Sequence, residues 1–151
     1  MAVIRWMKPG EEADVRKLYA TCHPGWPARP PQWFQAYPTL VAVEGKRVVG
    51  FTSFAIAYPT TPAIGTAELI IYGQDVCVSP DHRGEGIGQD LSDERLRVAK
   101  TVGATFFVGF TWKQNKSMIR IFEKQGMREH TTIAKLHPGG VDGVLYVGPV
   151  N

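Results

Sequence analysis

The sequence predicts a single α/β (α+β) domain in which helices flank the faces of a mixed β-sheet. Three observations support this class. Strand-like and amphipathic runs follow one another in the order β-α-α-β-β-β-α-β-α-β-β. A strand, a glycine-rich turn and a helix are directly connected in the middle of the chain. The 151 residues contain no internal repeat or low-complexity linker, and this length fits one domain.

The first half of the chain predicts three strands and two helices. The first strand is broken by Lys8-Pro9-Gly10, and the helix after it has acidic residues in its first turn. Four prolines within residues 23–34 favour a rigid loop that ends in a short helix. The turn Glu44-Gly45-Lys46 predicts a hairpin. The expected elements are the strand Ala2–Met7, the helix Glu11–Ala20, a short helix from Pro30 or Pro31, the strands Thr39–Val43 and Arg47–Ala57, and a loop over Pro59–Gly65.

The second half predicts four further strands and two helices. The helix after the glycine turn has apolar residues at helical spacing and ends before Gly103. The strand that follows is rich in aromatic and β-branched residues. The last two strands are joined by His137-Pro138-Gly139-Gly140. The expected elements are the strand Thr66–Val78, the helix Ile87–Val102, the strand Thr105–Thr111, a helix from Asn115 or Ser117 to Lys124, and strands over 127–136 and 144–148.

Composition and charge exclude several classes of protein. The chain is 44% hydrophobic, which does not fit disordered or fibrous proteins, and no apolar run has the length of a membrane span or a signal-peptide core. A net charge of +3, spread along the chain, gives no nucleic-acid footprint. Cys22 and Cys77 do not make a disulfide framework, and their surroundings lack the spacing of a zinc site. We therefore expect a cytoplasmic protein with no metal and no membrane or nucleic-acid partner.

The most informative segment joins the predicted fourth strand to the helix that follows. Gly84, Gly86 and Gly88 leave backbone N–H groups unobstructed at a helix N-terminus, which favours an anion such as a phosphate, and Arg83 adds a positive charge. The segment lacks the lysine of a P-loop, and its glycines alternate, unlike the Gly-x-Gly-x-x-Gly of dinucleotide-binding turns. It predicts a site for a phosphorylated cofactor. The structural alternative is a turn that only joins a strand to a helix.

Two motifs resemble those of one known superfamily. Arg-x-x-Gly-x-Gly, formed by Arg83, Gly86 and Gly88, resembles the cofactor motif of the GNAT superfamily, the acetyl-CoA-dependent N-acetyltransferases. A later stretch, Asn115-x-x-Met118-x-x-Ile121-Phe122-Glu123-Lys124-x-Gly126-Met127, is similar to the superfamily's Asn-x-x-Ala-x-x-Leu-Tyr-Glu-Lys-x-Gly-Phe. The motifs span residues 72–127, and the order of elements extends the resemblance over most of the chain.

The resemblance implies a mostly antiparallel sheet that splits after its fourth strand, where the pantetheine arm of acetyl-CoA pairs with the exposed strand edge. It also implies that the amides of Arg83–Gln89 hold the pyrophosphate. A neutral amine then attacks the thioester directly, and a backbone N–H near Val78 stabilises the oxyanion. The cofactor-binding residues expected from the resemblance are Val76, Cys77, Val78, Arg83, Gly84, Gly86, Ile87, Gly88, Gln89, Asn115 and Phe122.

Two positions depart from the family's pattern of catalytic acid and base. Phe122 stands where many relatives carry the tyrosine that protonates the leaving thiolate, and Gln74 stands where polyamine acetyltransferases carry a glutamate. Asp75 is then the candidate base, unless its carboxylate only bonds neighbouring backbone. Tyr72 is a second catalytic candidate, or simply an aromatic residue of the strand. Cys77 is expected to be a small buried residue rather than a covalent acetyl carrier.

Selection of the acceptor is expected to involve the proline-rich loop and the loop after the third strand. Aromatic residues there can form a wall for an amine or a peptide, or can pack beneath the loops. The candidates are Trp26, Trp33 and Tyr58, and His23 is either a second base or part of the polar surface. No acidic cluster marks a polyamine site. Amino acids, amino sugars, antibiotics and protein N-termini stay open as acceptors.

The sequence therefore predicts an N-acetyltransferase that moves an acetyl group from acetyl-CoA to a primary amine of a small molecule or a protein. One alternative is an acyl-CoA-binding regulatory module with little or no catalysis, which Phe122 and Gln74 favour. Another is a nucleic-acid-modifying enzyme on the same scaffold, which the lack of a basic face disfavours. A homodimer stays open as a further partner.

Overall fold

The computed structural model describes residues 1–57 and 69–150. The elements follow the predicted order, with an added 3-10 helix, and the predicted loop over Pro59–Gly65 lies outside the described residues. The elements are β1 (Val3–Trp6), α1 (Glu12–Cys22), α2 (Pro31–Ala36), β2 (Thr39–Glu44), β3 (Arg47–Ala57), β4 (Ile70–Val78), a 3-10 helix (Pro80–His82), α3 (Ile87–Thr101), β5 (Phe106–Trp112), α4 (Lys116–Lys124), β6 (Arg128–Ile133) and β7 (Gly143–Pro149).

The seven strands form one sheet in the order β1-β2-β3-β4-β5-β7-β6. The pairs β1–β2, β2–β3, β5–β7 and β6–β7 are antiparallel, whereas β4 and β5 are parallel. A parallel pair requires a crossover connection, and α3 lies in it. The predicted fold class, a mixed and mostly antiparallel sheet with flanking helices, is confirmed.

The ladder between β4 and β5 is shorter than β4 itself. It runs from Ile70 opposite Phe106 to Gly73 opposite Gly109, while β4 continues to Val78. The expected split after the fourth strand stays a prediction.

The chain divides into two compact units, of which the first comprises Met1–Phe54 and Gln74–Arg95. The start of α1 in this unit is held by Glu11, whose carboxylate accepts hydrogen bonds from the Lys8 backbone N–H at 2.7 Å and from Arg5 Nη2, also at 2.7 Å. The hydrogen bond from Arg5 is the main reason why the pKa of Glu11 is lowered. Seven buried residues of this unit form a hydrophobic cluster, namely Val15, Tyr19, Phe34, Val41, Val48, Phe51 and Cys77.

The second unit comprises Ala55–Gly73 and Leu96–Asn151 and contains β5, α4, β6 and β7. β6 is shorter than the predicted strand over 127–136. The chain turns at Lys135, which has a φ of +51° and whose N–H donates to Asp142 Oδ1 at 3.0 Å. Within residues 1–57 and 69–150, no helix is long and apolar enough to cross a membrane.

Candidate active site

The glycine turn lies between β4 and α3, as the sequence predicts. The Ser79 N–H donates to the Val49 carbonyl at 2.8 Å, so the end of β4 stays attached to β3. The turn begins after the 3-10 helix, and within it Gly84 and Gly86 have φ angles of +81° and +85°. A Cβ at either position would meet nothing within 4 Å. The left-handed backbone, rather than crowding, is therefore what favours glycine at these positions.

The turn leads directly into the first turn of α3. The Asp90 N–H donates to the Gly86 carbonyl at 3.0 Å, and Ile87 begins the helix with a buried side chain. The N–H groups at the start of a helix have no partner within it, and they attract anions. The predicted residues Gly88 and Gln89 lie in this first turn.

Arg83 is fixed at the entrance to the turn. Its Nε donates to the Val78 carbonyl at 3.2 Å, and its Nη2 lies 3.8 Å from the sulfur of Cys22. The Arg83 guanidinium is thereby held beside the last residue of β4. The first unit thus brings together the predicted cofactor residues from Val76 to Gln89 along one continuous strand, turn and helix start.

The two cysteines form a disulfide, which corrects the expectation from the sequence. Cys22, the last residue of α1, is bonded to Cys77 in β4, with the two Cα atoms 6.0 Å apart. Cys77 is buried, as expected, but it carries no thiol. Since a disulfide sulfur cannot take up an acetyl group without prior reduction, the pairing disfavours the acetyl-carrier alternative.

Asp75 lies in the same half of β4 as Cys77, and its carboxylate is surrounded by polar partners. Ser53 Oγ donates to Oδ2 at 3.0 Å and Arg29 Nη2 donates to Oδ1 at 3.3 Å. His23 Nε2 lies 3.7 Å from the same Oδ1. The side chain of Asp75 is 3% exposed. Asp75 therefore has a buried carboxylate whose three recorded contacts are all with side chains, rather than with the neighbouring backbone.

The backbone at Asp75 is held in place by a second set of contacts. Thr52 Oγ1 donates to the Asp75 carbonyl at 2.6 Å, and Arg95 Nη1 donates to Thr52 Oγ1 at 3.0 Å. Arg95 is 2% exposed, and burial lowers its pKa to about 10, although the nearby charge of Asp75 acts in the opposite direction. This arrangement fixes the position along β4 from which the Asp75 side chain projects.

Arg29 is held by two aromatic rings, Trp33 of the predicted acceptor region and Tyr19 of α1. Its guanidinium carbon lies 3.8 Å from the centroid of Trp33 and 4.7 Å from that of Tyr19. Stacking of this kind fixes the plane of the guanidinium. Arg29 Nη1 and Trp33 Nε1 are both shielded from solvent and have no hydrogen-bond acceptor. Two buried donors without acceptors are costly in a folded protein, at about 1–3 kcal/mol each.

Of the other two predicted acceptor residues, Trp26 lies beside His23 and Tyr58 is not described by the structure. Trp26 is half-buried, and its ring meets His23 edge-on at a centroid distance of 6.4 Å. Tyr58 lies outside the described residues. The structure therefore brings Trp26 and Trp33 to the neighbourhood of Arg29 and His23, and their role in binding an acceptor stays a prediction.

Three predicted residues lie in the second unit. Asn115 caps α4: its side-chain oxygen accepts the Met118 N–H at 3.2 Å, and its Nδ2 donates to Thr111 Oγ1 at 3.0 Å. Phe122 is buried and stacks on Tyr146, with ring centroids 5.3 Å apart. Tyr72 in β4 is exposed. Their roles in cofactor binding and catalysis stay predictions.

Sequence reasoning missed Arg29 and Ser53, which donate to the Asp75 carboxylate. It also missed Thr52 and Arg95, which hold the backbone at Asp75. Arg29 is 46 residues from Asp75 in sequence, and Ser53 is 22 residues away. A lone arginine in a proline-rich loop gives no signal of its partner.

Among the described residues, no group of three or more histidine, cysteine, aspartate or glutamate side chains is placed to hold a metal ion.

Comparison with known proteins gives one consistent family. The family model described as "Acetyltransferase (GNAT) family" matches residues 12–127. A Bacillus subtilis protein provisionally named phosphinothricin acetyltransferase, YwnH, is 32% identical over 119 residues, which are 76% of this chain and 70% of that protein. The L-amino acid N-acyltransferase MnaT of Escherichia coli is 29% identical over 99 residues, 62% of this chain and 55% of that protein.

Solved structures agree with this result at the level of the fold. NAA60 of Arabidopsis thaliana in complex with acetyl-CoA has a TM-score of 0.85 at 15% identity, covering 100% of this chain and 99% of that one. The structure of yncA from Salmonella typhimurium with its cofactor acetyl-CoA has a TM-score of 0.81 at 21% identity, covering 100% and 95%. At these identities the likeness concerns the fold alone.

Proposed function

Because this chain belongs to the GNAT acetyltransferase family and is an N-acetyltransferase, we propose that it transfers the acetyl group of acetyl-CoA to the primary amine of an amino-acid-type acceptor. The observation that carries this proposal is the left-handed turn at Gly84 and Gly86, which follows β4 and the 3-10 helix and leads into the N-terminus of α3. Acetyl-CoA is the cofactor present in two of the related structures.

The cofactor would be held by backbone groups of the strand and the turn. The N–H groups of residues 87–89 and the Arg83 guanidinium would face the pyrophosphate, since helix starts and arginine both favour anions. The pantetheine arm would pair with Val76–Val78, where β4 extends past its ladder with β5. Asn115 and Phe122 are proposed as further cofactor contacts on the basis of the second motif.

The acceptor would approach the side of β4 on which Asp75 lies. An acceptor with both an amine and an anionic group suits this region, because Arg29 balances the charge of Asp75 and still has the unpartnered donor Nη1. One relative is named for L-amino acids, which favours the same class. Trp26 and Trp33 would form the wall of the site.

The chemistry would be direct transfer within a ternary complex. The neutral amine attacks the thioester carbon, the C–S bond breaks, and the N–H of a residue near Val78 stabilises the oxyanion. Loss of one such donor typically costs about 2.7–4 kcal/mol of transition-state stabilisation. The disulfide at Cys77 agrees with direct transfer because it leaves no thiol to carry the acetyl group.

The test is release of the CoA thiol from acetyl-CoA over a panel of L-amino acids, phosphinothricin, amino sugars and short peptides, with the products identified by mass spectrometry. We expect acceptor-dependent release that is fastest with free amino acids or phosphinothricin. Fastest release with peptides would replace the acceptor class by a protein N-terminus. Binding of CoA without release for any acceptor would favour the regulatory-module alternative.

A further inference from the structure

The Cys22–Cys77 disulfide lies beside the arginine at the entrance to the glycine turn. Arg83 Nη2 is 3.8 Å from Cys22 Sγ, and Arg83 Nε donates to the Val78 carbonyl at 3.2 Å. Cys22 Sγ is itself 3.7 Å from the same carbonyl oxygen. The sulfur, the carbonyl and the guanidinium therefore form one cluster at the end of β4, within the first compact unit.

The Arg83 guanidinium has no acid beside it while the disulfide is intact. In the part of the chain that the structure describes, its contacts are the Val78 carbonyl and the Cys22 sulfur, which is neutral in a disulfide. The positive charge is therefore left for an anion that reaches the turn. The hydrogen bond to Val78 uses only Nε and a backbone oxygen, so it holds the guanidinium in place whatever the redox state of the sulfur.

Reduction of the disulfide gives two thiols with different surroundings. Cys77 is buried, and its Sγ lies 3.2 Å from the Leu18 carbonyl oxygen, so its thiol can donate there and stay neutral. Cys22 is half-buried, and its sulfur lies beside the guanidinium, which favours the thiolate over the thiol. The new negative charge therefore forms on Cys22, next to Arg83.

Other charged and titratable side chains near Cys22 contact one another. His23, the next residue, has Nε2 3.7 Å from Asp75 Oδ1, and Arg29 Nη2 donates to the same oxygen at 3.3 Å. Among the described residues, Arg83 is the charged side chain that contacts the Cys22 sulfur. The charge of the Cys22 thiolate would therefore be balanced by Arg83.

We propose that the Cys22–Cys77 disulfide controls whether Arg83 is available to the pyrophosphate of acetyl-CoA. In the oxidised form the guanidinium can bind the anion. In the reduced form the Cys22 thiolate is its counter-ion, and the cofactor binds more weakly. This inference rests on the proposed function and adds redox control to the same site.

The redox step uses a dithiol as the reductant. One sulfur of the dithiol attacks as a thiolate, the bond between Cys22 and Cys77 breaks, and a mixed disulfide forms. The second sulfur of the dithiol then attacks the mixed disulfide and closes a cyclic disulfide. Two electrons pass from the dithiol to the protein. Of the two protons that the dithiol loses, one ends on the Cys77 thiol and the other enters the solvent, since Cys22 stays a thiolate.

The experiment measures by calorimetry the Kd for desulfo-CoA, an analogue that lacks the thiol and cannot exchange with the disulfide. The oxidised parent is compared at about pH 8 with parent that a dithiol has reduced and that anaerobic gel filtration has then freed of the dithiol. We expect reduction to raise the Kd about three- to fivefold, as for other exposed charge pairs. Arg83→Gln should have the same Kd in both redox states, because it has no charge for the thiolate to balance.

Two single variants separate the effect of charge from the loss of the bond. Cys77→Ala leaves the Cys22 thiolate beside Arg83 and should bind desulfo-CoA as weakly as the reduced parent. Cys22→Ser breaks the same bond but leaves a neutral hydroxyl there, so it should bind like the oxidised parent. Equal Kd values for the two variants, or for the two redox states of the parent, would overturn the inference. If Cys77→Ala does not fold, the reduced parent takes its place in this comparison.

Ultraviolet absorbance of the thiolate tests the contact in the absence of a cofactor. The titration midpoint of the Cys22 thiol should be about half to one pH unit lower in Cys77→Ala than in the double variant with Arg83→Gln. Equal midpoints would overturn the inference whatever the cofactor does. A lower midpoint in Cys77→Ala, together with no binding of desulfo-CoA to the oxidised parent, would instead contradict the proposed function.

Discussion

Reduction of the disulfide between Cys22 and Cys77 is predicted to lower the free energy of unfolding by about 4 kcal/mol. The two cysteines are 55 residues apart in sequence, and the bond therefore closes a long loop in the unfolded chain. For a loop of this length, the chain-entropy relation gives a loss of about 14 cal/mol/K, or about 4 kcal/mol at 25 °C. The bond joins the last residue of α1 to β4, so breaking it also releases the end of α1 from that strand. Cys77 itself is buried in the core of the first unit.

The assay is urea denaturation followed by circular dichroism, with and without a dithiol reductant, after thiol titration has confirmed each redox state. The matched control is the double variant Cys22→Ser, Cys77→Ala, whose midpoint should not respond to the reductant. A parent midpoint that is the same in both states, with thiol titration showing complete reduction, would refute the reasoning.

The expected cytoplasmic location stays a prediction, and thiol titration of protein isolated from its native cell shows which redox state applies there.

Two further predictions concern packing and pH. Gly109→Ala should lower the free energy of unfolding by about 1–3 kcal/mol, because a Cβ would lie 2.7 Å from two ring atoms of Phe122, and the double variant with Phe122→Leu should recover part of the loss in the same urea titration. The pKa of Glu11 is lowered in the folded protein, mainly by the hydrogen bond from Arg5. The ionised carboxylate therefore stabilises the fold fully when the pH is above the pKa of Glu11 in the unfolded chain, near 4.5. This stabilisation is lost as the pH falls through the lower pKa of the folded state. Glu11→Gln should therefore flatten the acid limb of stability against pH, and an unaltered limb in thermal melts would contradict this.

Local patterns account for the parts of the fold and site that the sequence predicted well. The glycine turn was predictable because its glycines lie in one short segment between a strand-like run and an amphipathic helix. Two of them, Gly84 and Gly86, adopt backbone angles that few other residues adopt. The start of α4 was predictable from Asn115, a residue type that caps helices through a contact only three residues away. Such signals lie within one short segment.

Long-range pairing explains what the sequence did not reveal. The Cys22–Cys77 bond joins residues 55 apart, and the ion pair of Arg29 with Asp75 joins residues 46 apart. Neither partner is marked by a local pattern, because each pairing depends on how α1 and the proline-rich loop pack on β4. The sequence singled out Asp75 on a strand but could not show that its carboxylate is already engaged by two side chains.

The measurement that tests the central claim most directly is calorimetric binding of CoA to the parent, to Gly86→Val and to Gly10→Val. Gly10 is the matched control because it shares the left-handed backbone, with a φ of +94°, and the open surroundings of Gly86, but lies outside the proposed cofactor site. If the turn before α3 holds the pyrophosphate, Gly86→Val should raise the Kd for CoA at least about tenfold, a free-energy change of about 1.4 kcal/mol, while Gly10→Val should leave it unchanged. An equal Kd for the parent and a folded Gly86→Val would contradict the account.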